Sequence, residues 1–305
     1  MCARPSTPPT PSTPSMPSAP PNVPEVGAAS ALLPASDPLA VRVLGTAMRV
    51  TGLPEPLRVA LAELLQPFLV ADDAALSPAL TFTATWDAPE SLWRIYSDGA
   101  MLQGIPSDKA LLLQLEWRVV DAALARVAGC GVFHAGALER DGAVVLLQGE
   151  SGAGKTTLTQ GLIARGWRPL SDDAAIVDAR TLATQVFPRC FHVERGQRPV
   201  GARPRLAWIA AVAGHARPLR WAPSGQPVTA IVTVTRDPEQ PSSLTPMLRA
   251  EAAGALLHGA IRNPLNGSQL ADLAARVAAS ARFCGRLNNS SLPDALDLIE
   301  SACAQ

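Results

Sequence analysis

An unbroken apolar run, Ala143-Val144-Val145-Leu146-Leu147, leads through Gln148 into Gly149-Glu150-Ser151-Gly152-Ala153-Gly154-Lys155-Thr156-Thr157. Such a run is expected of a strand covered on both faces. The segment after it is a full GxxxxGK[ST], and residues 158–165 read as a helix closed by Gly166. In this strand–loop–helix context the pattern is a phosphate-binding loop. Its glycines let the backbone wind around phosphates with N–H groups turned inward, and the helix N-terminus adds positive potential at the same point. Lys155 supplies a point charge for the β and γ phosphates, and Thr156 presents a hydroxyl to Mg²⁺. Lysine is a rare choice here: of 26 basic residues only Lys109 and Lys155 are lysines.

The segment downstream of the loop narrows the chemistry. Asp172-Asp173 comes seventeen residues after Lys155 and precedes the apolar stretch 174–177, where most P-loop ATPases and GTPases place a single acid at the end of a later strand. One helix, a turn at Gly166-Trp167-Arg168-Pro169 and the next strand would return both carboxylates to the phosphates. There one can ligate Mg²⁺ and the other can accept a proton from an attacking hydroxyl. Upstream, Phe133-His134-Ala135-Gly136-Ala137-Leu138 opens an apolar segment, and Arg140-Asp141-Gly142 reads as a hairpin turn into the loop-bearing strand. His134 is therefore a candidate site residue one hairpin from the loop. At this point the plainer readings, a turn-forming Asp pair and a structural histidine, stay open.

The chain has 305 residues against a soft prior of ~150 per domain, so two units or one large one fit. Charge is balanced, 26 basic against 26 acidic side chains, which gives no bulk attraction to nucleic acid or an anionic membrane. No apolar run reaches the ~18–20 residues of a membrane helix. The start, Met1-Cys2-Ala3-Arg4-Pro5, lacks the apolar core of a secretory signal, so a cytoplasmic protein is expected. Five scattered cysteines without a CxxC pair suggest reduced thiols, and His192, His215 and His258 are too dispersed for a metal motif.

Residues 1–38 form a Pro/Ser/Thr-rich tract, expected to be a disordered tail because proline removes donors and little apolar surface is available. Residues 39–106 read as a small α+β domain. Period-two alternation marks Val41-Arg42-Val43-Leu44 and Leu80-Thr81-Phe82-Thr83-Ala84-Thr85-Trp86, residues 57–70 form a helix, and Ser97-Asp98-Gly99 turns a hairpin. Trp86 and Trp93 are expected to pack in that core. Residues 107–305 then begin with a long helix, capped by Ser107 or Asp108, stopped by Gly129 and expected to pack across the sheet after it. A strand is expected over 228–235 and helices over 250–260 and 270–281.

The residues His134-Ala135-Gly136, the loop 149–156 and Arg165-Gly166-Trp167-Arg168-Pro169-Leu170-Ser171-Asp172-Asp173 resemble the catalytic domain of HPr kinase/phosphorylase. That family shares its nucleotide-binding core with the ATP-dependent phosphoenolpyruvate carboxykinases. The layout of the chain is more similar to the HPr-kinase-like proteins of peptide-modification gene clusters, including lasso-peptide kinases. The resemblance covers about forty residues and implies an α/β P-loop kinase core using ATP and Mg²⁺. It implies that Lys155 and the loop hold the ATP phosphates, that Thr156 and Asp173 serve Mg²⁺, that Asp172 is the base for a serine-type hydroxyl, and that His134 lies beside that base. The Gly-rich signature that supports phosphorolysis in HPr kinases is not reproduced in Phe187-Pro188-Arg189-Cys190-Phe191-His192-Val193-Glu194-Arg195-Gly196, so neither reverse activity nor HPr as substrate is implied. Arg189 and Arg236 are candidate clamps for phosphate or substrate.

The expected function is an ATP-dependent kinase acting on a hydroxyl, with serine of a peptide or small protein as the preferred acceptor. The alternatives are a kinase of free serine or a sugar, and a non-catalytic nucleotide-binding partner in a biosynthetic complex. Whether the chain forms a homo-oligomer is not legible in its residues.

Overall fold

The computed structural model describes residues 36–71, 77–192, 215–216, 220–222 and 225–304. All but the last three positions of the Pro-rich tract lie outside the described residues. Where the description begins, Ser36 is anchored by its N–H and hydroxyl, both donating to Leu53 O at 2.8 Å. The chain is mixed α/β, with several sheets and six α-helices among the described residues, none of them long and apolar enough to cross a membrane.

A five-stranded sheet comes first: β1 (Leu39–Val43), β2 (Thr46–Thr51), β3 (Leu80–Asp87), β4 (Leu92–Ser97) and β5 (Ala100–Ile105), in that spatial order. Two of its hairpins turn at Leu44-Gly45 and Asp98-Gly99, where both residues have positive φ, the backbone that two-residue hairpins need. Helix α1 (Glu55–Leu64) crosses between the parallel strands β2 and β3; the helix expected over 57–70 breaks there, and its remainder is a 3-10 turn at Gln66–Phe68. Trp86 and Trp93 are cross-strand partners with ring centroids 5.4 Å apart.

Helix α2 (Asp108–Leu124) is capped by Ser107 Oγ, which accepts from Ala110 N at 3.3 Å. It ends five residues before Gly129 and packs on α1 and the five-stranded sheet, correcting the expectation that it covers the sheet after it. The physical reason is the two-residue connection from β5, since so short a link keeps consecutive elements adjacent. The opposite side of the same core reaches Cys130, Val132, Ile176 and Phe187.

The next apolar segment splits at His134. β6 (Cys130–Phe133) pairs with residues 175–178 in a small sheet, whereas β7 (Ala135–Arg140) joins β8 (Ala143–Gln148) through the Asp141-Gly142 turn. After the glycine-rich segment 149–154 come α3 (Lys155–Ala164), β9 (Arg168–Ser171), β10 (Ala175–Asp178), β11 (Thr184–Gln185) and the paired β12 (Phe191–His192) and β13 (His215–Ala216). The chain closes with β14 (Ala230–Thr235), β15 (Ser243–Pro246), α4 (Arg249–His258), α5 (Gly267–Ser280), β16 (Phe283–Asn288) and α6 (Leu292–Cys303).

Six of these strands form one sheet in the order β15-β16-β14-β8-β7-β9, with β16, β14 and β8 parallel. Both faces are covered, which explains the continuous apolar run of β8. Val145 and Leu147 face α3 and α6 together with Val232 and Leu287, while Val144 and Leu146 face α4 and α5 with Ile231 and Cys284. Cys130 and Cys284 are buried free thiols, and the buried Cys190 Sγ donates to Leu64 O at 3.5 Å.

Candidate functional site

The loop between β8 and α3 lies at the carboxyl ends of the parallel strands, where open α/β sheets place their ligands. Its first residue, Gly149, has φ +150°, and a Cβ there would stand 2.3 Å from Val234 O, so only glycine lets the loop leave β8 so close to β14. Gly152 and Gly154 take positive φ, and Gly154 forms the left-handed N-cap of α3. Asn289, just after β16, supports the loop by donating from Nδ2 to Ala153 O at 3.3 Å.

Lys155 is 8% exposed and donates from Nζ to the loop's own carbonyls, Gly149 O at 2.7 Å and Glu150 O at 3.2 Å. Burial lowers its pKa, against the opposing pull of Asp173 and Asp172. Both carboxylates are thus electrostatic neighbours of the lysine. The return route is α3, the turn at Gly166 and β9, which pairs antiparallel with β7.

Asp172 is buried, 7% exposed, and its Oδ2 accepts from Thr156 Oγ1 at 3.3 Å. Its Oδ1 is buried without a hydrogen-bond partner among the described residues. Burial, and secondarily the charge of Asp173, pushes its pKa up to about 7. Asp173 is half exposed; its Oδ1 lies 3.0 Å from His134 Nδ1 and its Oδ2 lies 3.8 Å from Arg189 Nη1. His134 sits at the break between β6 and β7, tied down by its N–H, which donates to Gly259 O at 2.6 Å. Gly136 completes this corner: an added Cβ would meet Thr159 Oγ1 at 2.8 Å and Asp172 O at 3.2 Å.

The loop borders a cleft of ≈ 880 Å³ lined by His134, Gln148, residues 149–153, the end of β14 and Arg236, the C-terminal part of α4 with His258, and Arg286. Ser151 and Glu150 are on this wall, while Thr156 and Thr157 lie in the first turn of α3. Neither carboxylate lines the cleft; His134 connects them to it through Asp173. Of the two candidate clamps, Arg236 is exposed on the cleft wall. Arg189 is engaged instead with Glu116, through Nε–Oε1 at 2.7 Å and Nη2–Oε2 at 2.9 Å.

Glu116, Asn289, Gln148 and Arg286 were not singled out by sequence. For Glu116 a signal existed: it falls on the apolar stripe of α2 between Leu112, Leu115 and Val119, where an acid needs a buried partner. The oxygen set of Thr156 and Asp172, with one carboxylate oxygen unpartnered, suits Mg²⁺, which takes few protein ligands and completes its shell with phosphate and water. Among the described residues no group of three or more His, Cys, Asp and Glu side chains is arranged as a metal cage. No family model matches the chain, and no curated protein matches it significantly.

Proposed function

We propose that the protein is an Mg²⁺- and ATP-dependent kinase that transfers the γ-phosphoryl group to a hydroxyl, with serine of a peptide or small protein as acceptor. The observation that carries this reading is the contact of Thr156, in the first turn after the phosphate loop, with the first acid of the Asp pair at 3.3 Å. A loop that binds only phosphate has no use for a second carboxylate held beside it by a histidine.

The roles rest on the contacts. Lys155, released from its loop carbonyls, places its ammonium on the β and γ phosphates, and the N-terminus of α3 adds its dipole at the same point. Thr156 and Asp172 would hold Mg²⁺; when bound, the ion neutralises charge on the β and γ oxygens. Asp173, exposed and oriented by His134, takes the proton of the acceptor hydroxyl as its oxygen bonds to the γ phosphorus and the bond to the β–γ bridging oxygen breaks, releasing ADP. The resemblance implies the opposite division between Asp172 and Asp173. We reverse it because the Thr156 hydroxyl meets Asp172 and because Asp173 is the solvent-exposed acid of the two.

Transfer of label from γ-labelled ATP to serine peptides tests the reading. Lys155→Ala is expected to abolish transfer and weaken ATP binding, whereas Asp173→Asn is expected to keep ATP and lose transfer by roughly 10²–10⁴-fold, the range of a lost general base. A fully active Asp173→Asn enzyme would refute the assigned role.

A further inference from the structure

The six-stranded sheet carries a polar row that the phosphate loop and the Asp pair do not use. Thr233 of β14 is the register partner of Gln148 of β8 on one side and of Arg286 of β16 on the other. Residues in register share a face, and the residues two positions earlier on each strand, Leu146, Ile231 and Cys284, all lie in the core under α4 and α5. The row therefore faces the α4 side at the carboxyl ends of the parallel strands. With strands ~4.8 Å apart, the Gln148 and Arg286 backbones are roughly 10 Å apart. All three residues line the ≈ 880 Å³ cleft, as does His134.

Two features of the row ask for a ligand. Gln148 is 3% exposed; its Nε2 donates to Thr233 Oγ1 at 3.0 Å, while its Oε1 has no partner among the described residues. A buried amide oxygen left unmatched costs about 1–3 kcal/mol, and Gln148 is one of the residues that line the cleft. At the far end of the row, Arg286 and the nearby Arg236 are exposed on the cleft wall, and neither guanidinium bonds or pairs with a described residue. A guanidinium group is suited to carboxylate or phosphate.

We infer that the acceptor carries an anionic group of its own, a carboxylate or a phosphate, held by Arg286 and Arg236, together with an N–H or O–H that meets Gln148 Oε1; this rests on the phosphotransferase reading above. The row lies on rigid strands, so the anion fixes how far the acceptor enters. Its hydroxyl is thereby turned toward His134, which lines the same cleft and holds Asp173. A serine flanked by neutral or basic residues lacks this anchor.

The test uses the full chain and serine hexapeptides that differ at one position near the serine: aspartate, phosphothreonine, asparagine or lysine. Their binding is measured by calorimetry in the presence of a non-hydrolysable ATP analogue. The aspartate or the phosphothreonine peptide is expected to bind at least tenfold more tightly than the asparagine one, and the stronger of the two identifies the anion. Arg286→Gln is expected to reduce that ratio to within twofold, and Arg286→Glu to favour the lysine peptide. Equal binding of all four peptides by the wild type overturns the inference, as does an Arg286→Gln effect confined to the ATP analogue. Failure of the kinase reading is separately visible, as an ATP-analogue affinity indifferent to Lys155→Ala.

Discussion

Arg189 forks onto Glu116 through two hydrogen bonds of 2.7 and 2.9 Å, with the two side chains only 12% and 2% exposed. The pair joins α2, which packs on the five-stranded sheet, to the segment after β11, and it leaves Arg189 Nη1 3.8 Å from Asp173 Oδ2. Burial opposes the charge on Arg189, but the hydrogen bonds and charge of Glu116 outweigh it and raise its pKa. One end of a buried ion pair thus steadies the second acid of the candidate site.

Removing one partner from such a pair leaves an uncompensated buried charge. Glu116→Gln is expected to destabilise the fold by about 3–5 kcal/mol, read by urea denaturation. The double variant Glu116→Leu/Arg189→Met should recover most of that loss, because an apolar pair of similar volume carries no desolvation cost. It should not recover phosphoryl transfer, since Asp173 then loses a cationic neighbour.

Gly136 gives a steric test. It faces Thr159 and the backbone of Asp172, and a methyl group at that point lies 2.8 Å from Thr159 Oγ1. Gly136→Ala is expected to cost about 1–3 kcal/mol through overpacking and to lower transfer more than ATP affinity. Gly136→Ala with Thr159→Ser, which removes a neighbouring methyl but keeps the clashing oxygen, should not rescue it; Thr159→Ala should restore stability.

On the proposed reading, a change at the Thr156 hydroxyl separates metal binding from nucleotide binding. Thr156→Val keeps the loop glycines and Lys155 but deletes the donor to Asp172 Oδ2. The Mg²⁺ concentration for half-maximal transfer is expected to rise at least tenfold, with metal-free nucleotide affinity changed less than threefold. An unchanged Mg²⁺ requirement would count against the ligand pair of Thr156 and Asp172.

Protonation of Asp172 sets a pH dependence of stability. Its carboxyl is held at about 7 against an ordinary 3.8, so between these values the folded state keeps a proton that the unfolded chain releases. Stability therefore falls as pH rises through that window. In the metal-free protein Asp172→Asn removes the dependence. Relative to wild type it should gain almost nothing at pH 4 and about 2–4 kcal/mol at pH 8, measured by denaturation at the two pH values.

The local elements were largely legible in the residues themselves. Asp98-Gly99 and Asp141-Gly142 announce their hairpins because few other dipeptides tolerate two positive φ values in succession. The run 143–147 announces a doubly covered strand, and the glycines of the loop announce where it bends. Each of these signals arises from steric or burial constraints acting within a few residues.

Relationships between distant segments needed the fold. An apolar stripe on α2 states that something must cover it, not which sheet does; chain connectivity at Pro106 and Ser107 decided that. The continuous apolar segment around His134 gives no hint that it divides between two sheets, because pairing partners are chosen by β8, β9 and β10 and not by the segment itself. Which aspartate meets Thr156, that Arg189 turns to Glu116, and that Gln148, Thr233 and Arg286 align across three strands all depend on register. Register is set by the packing of whole faces, and residues far apart along the chain carry no local mark of it.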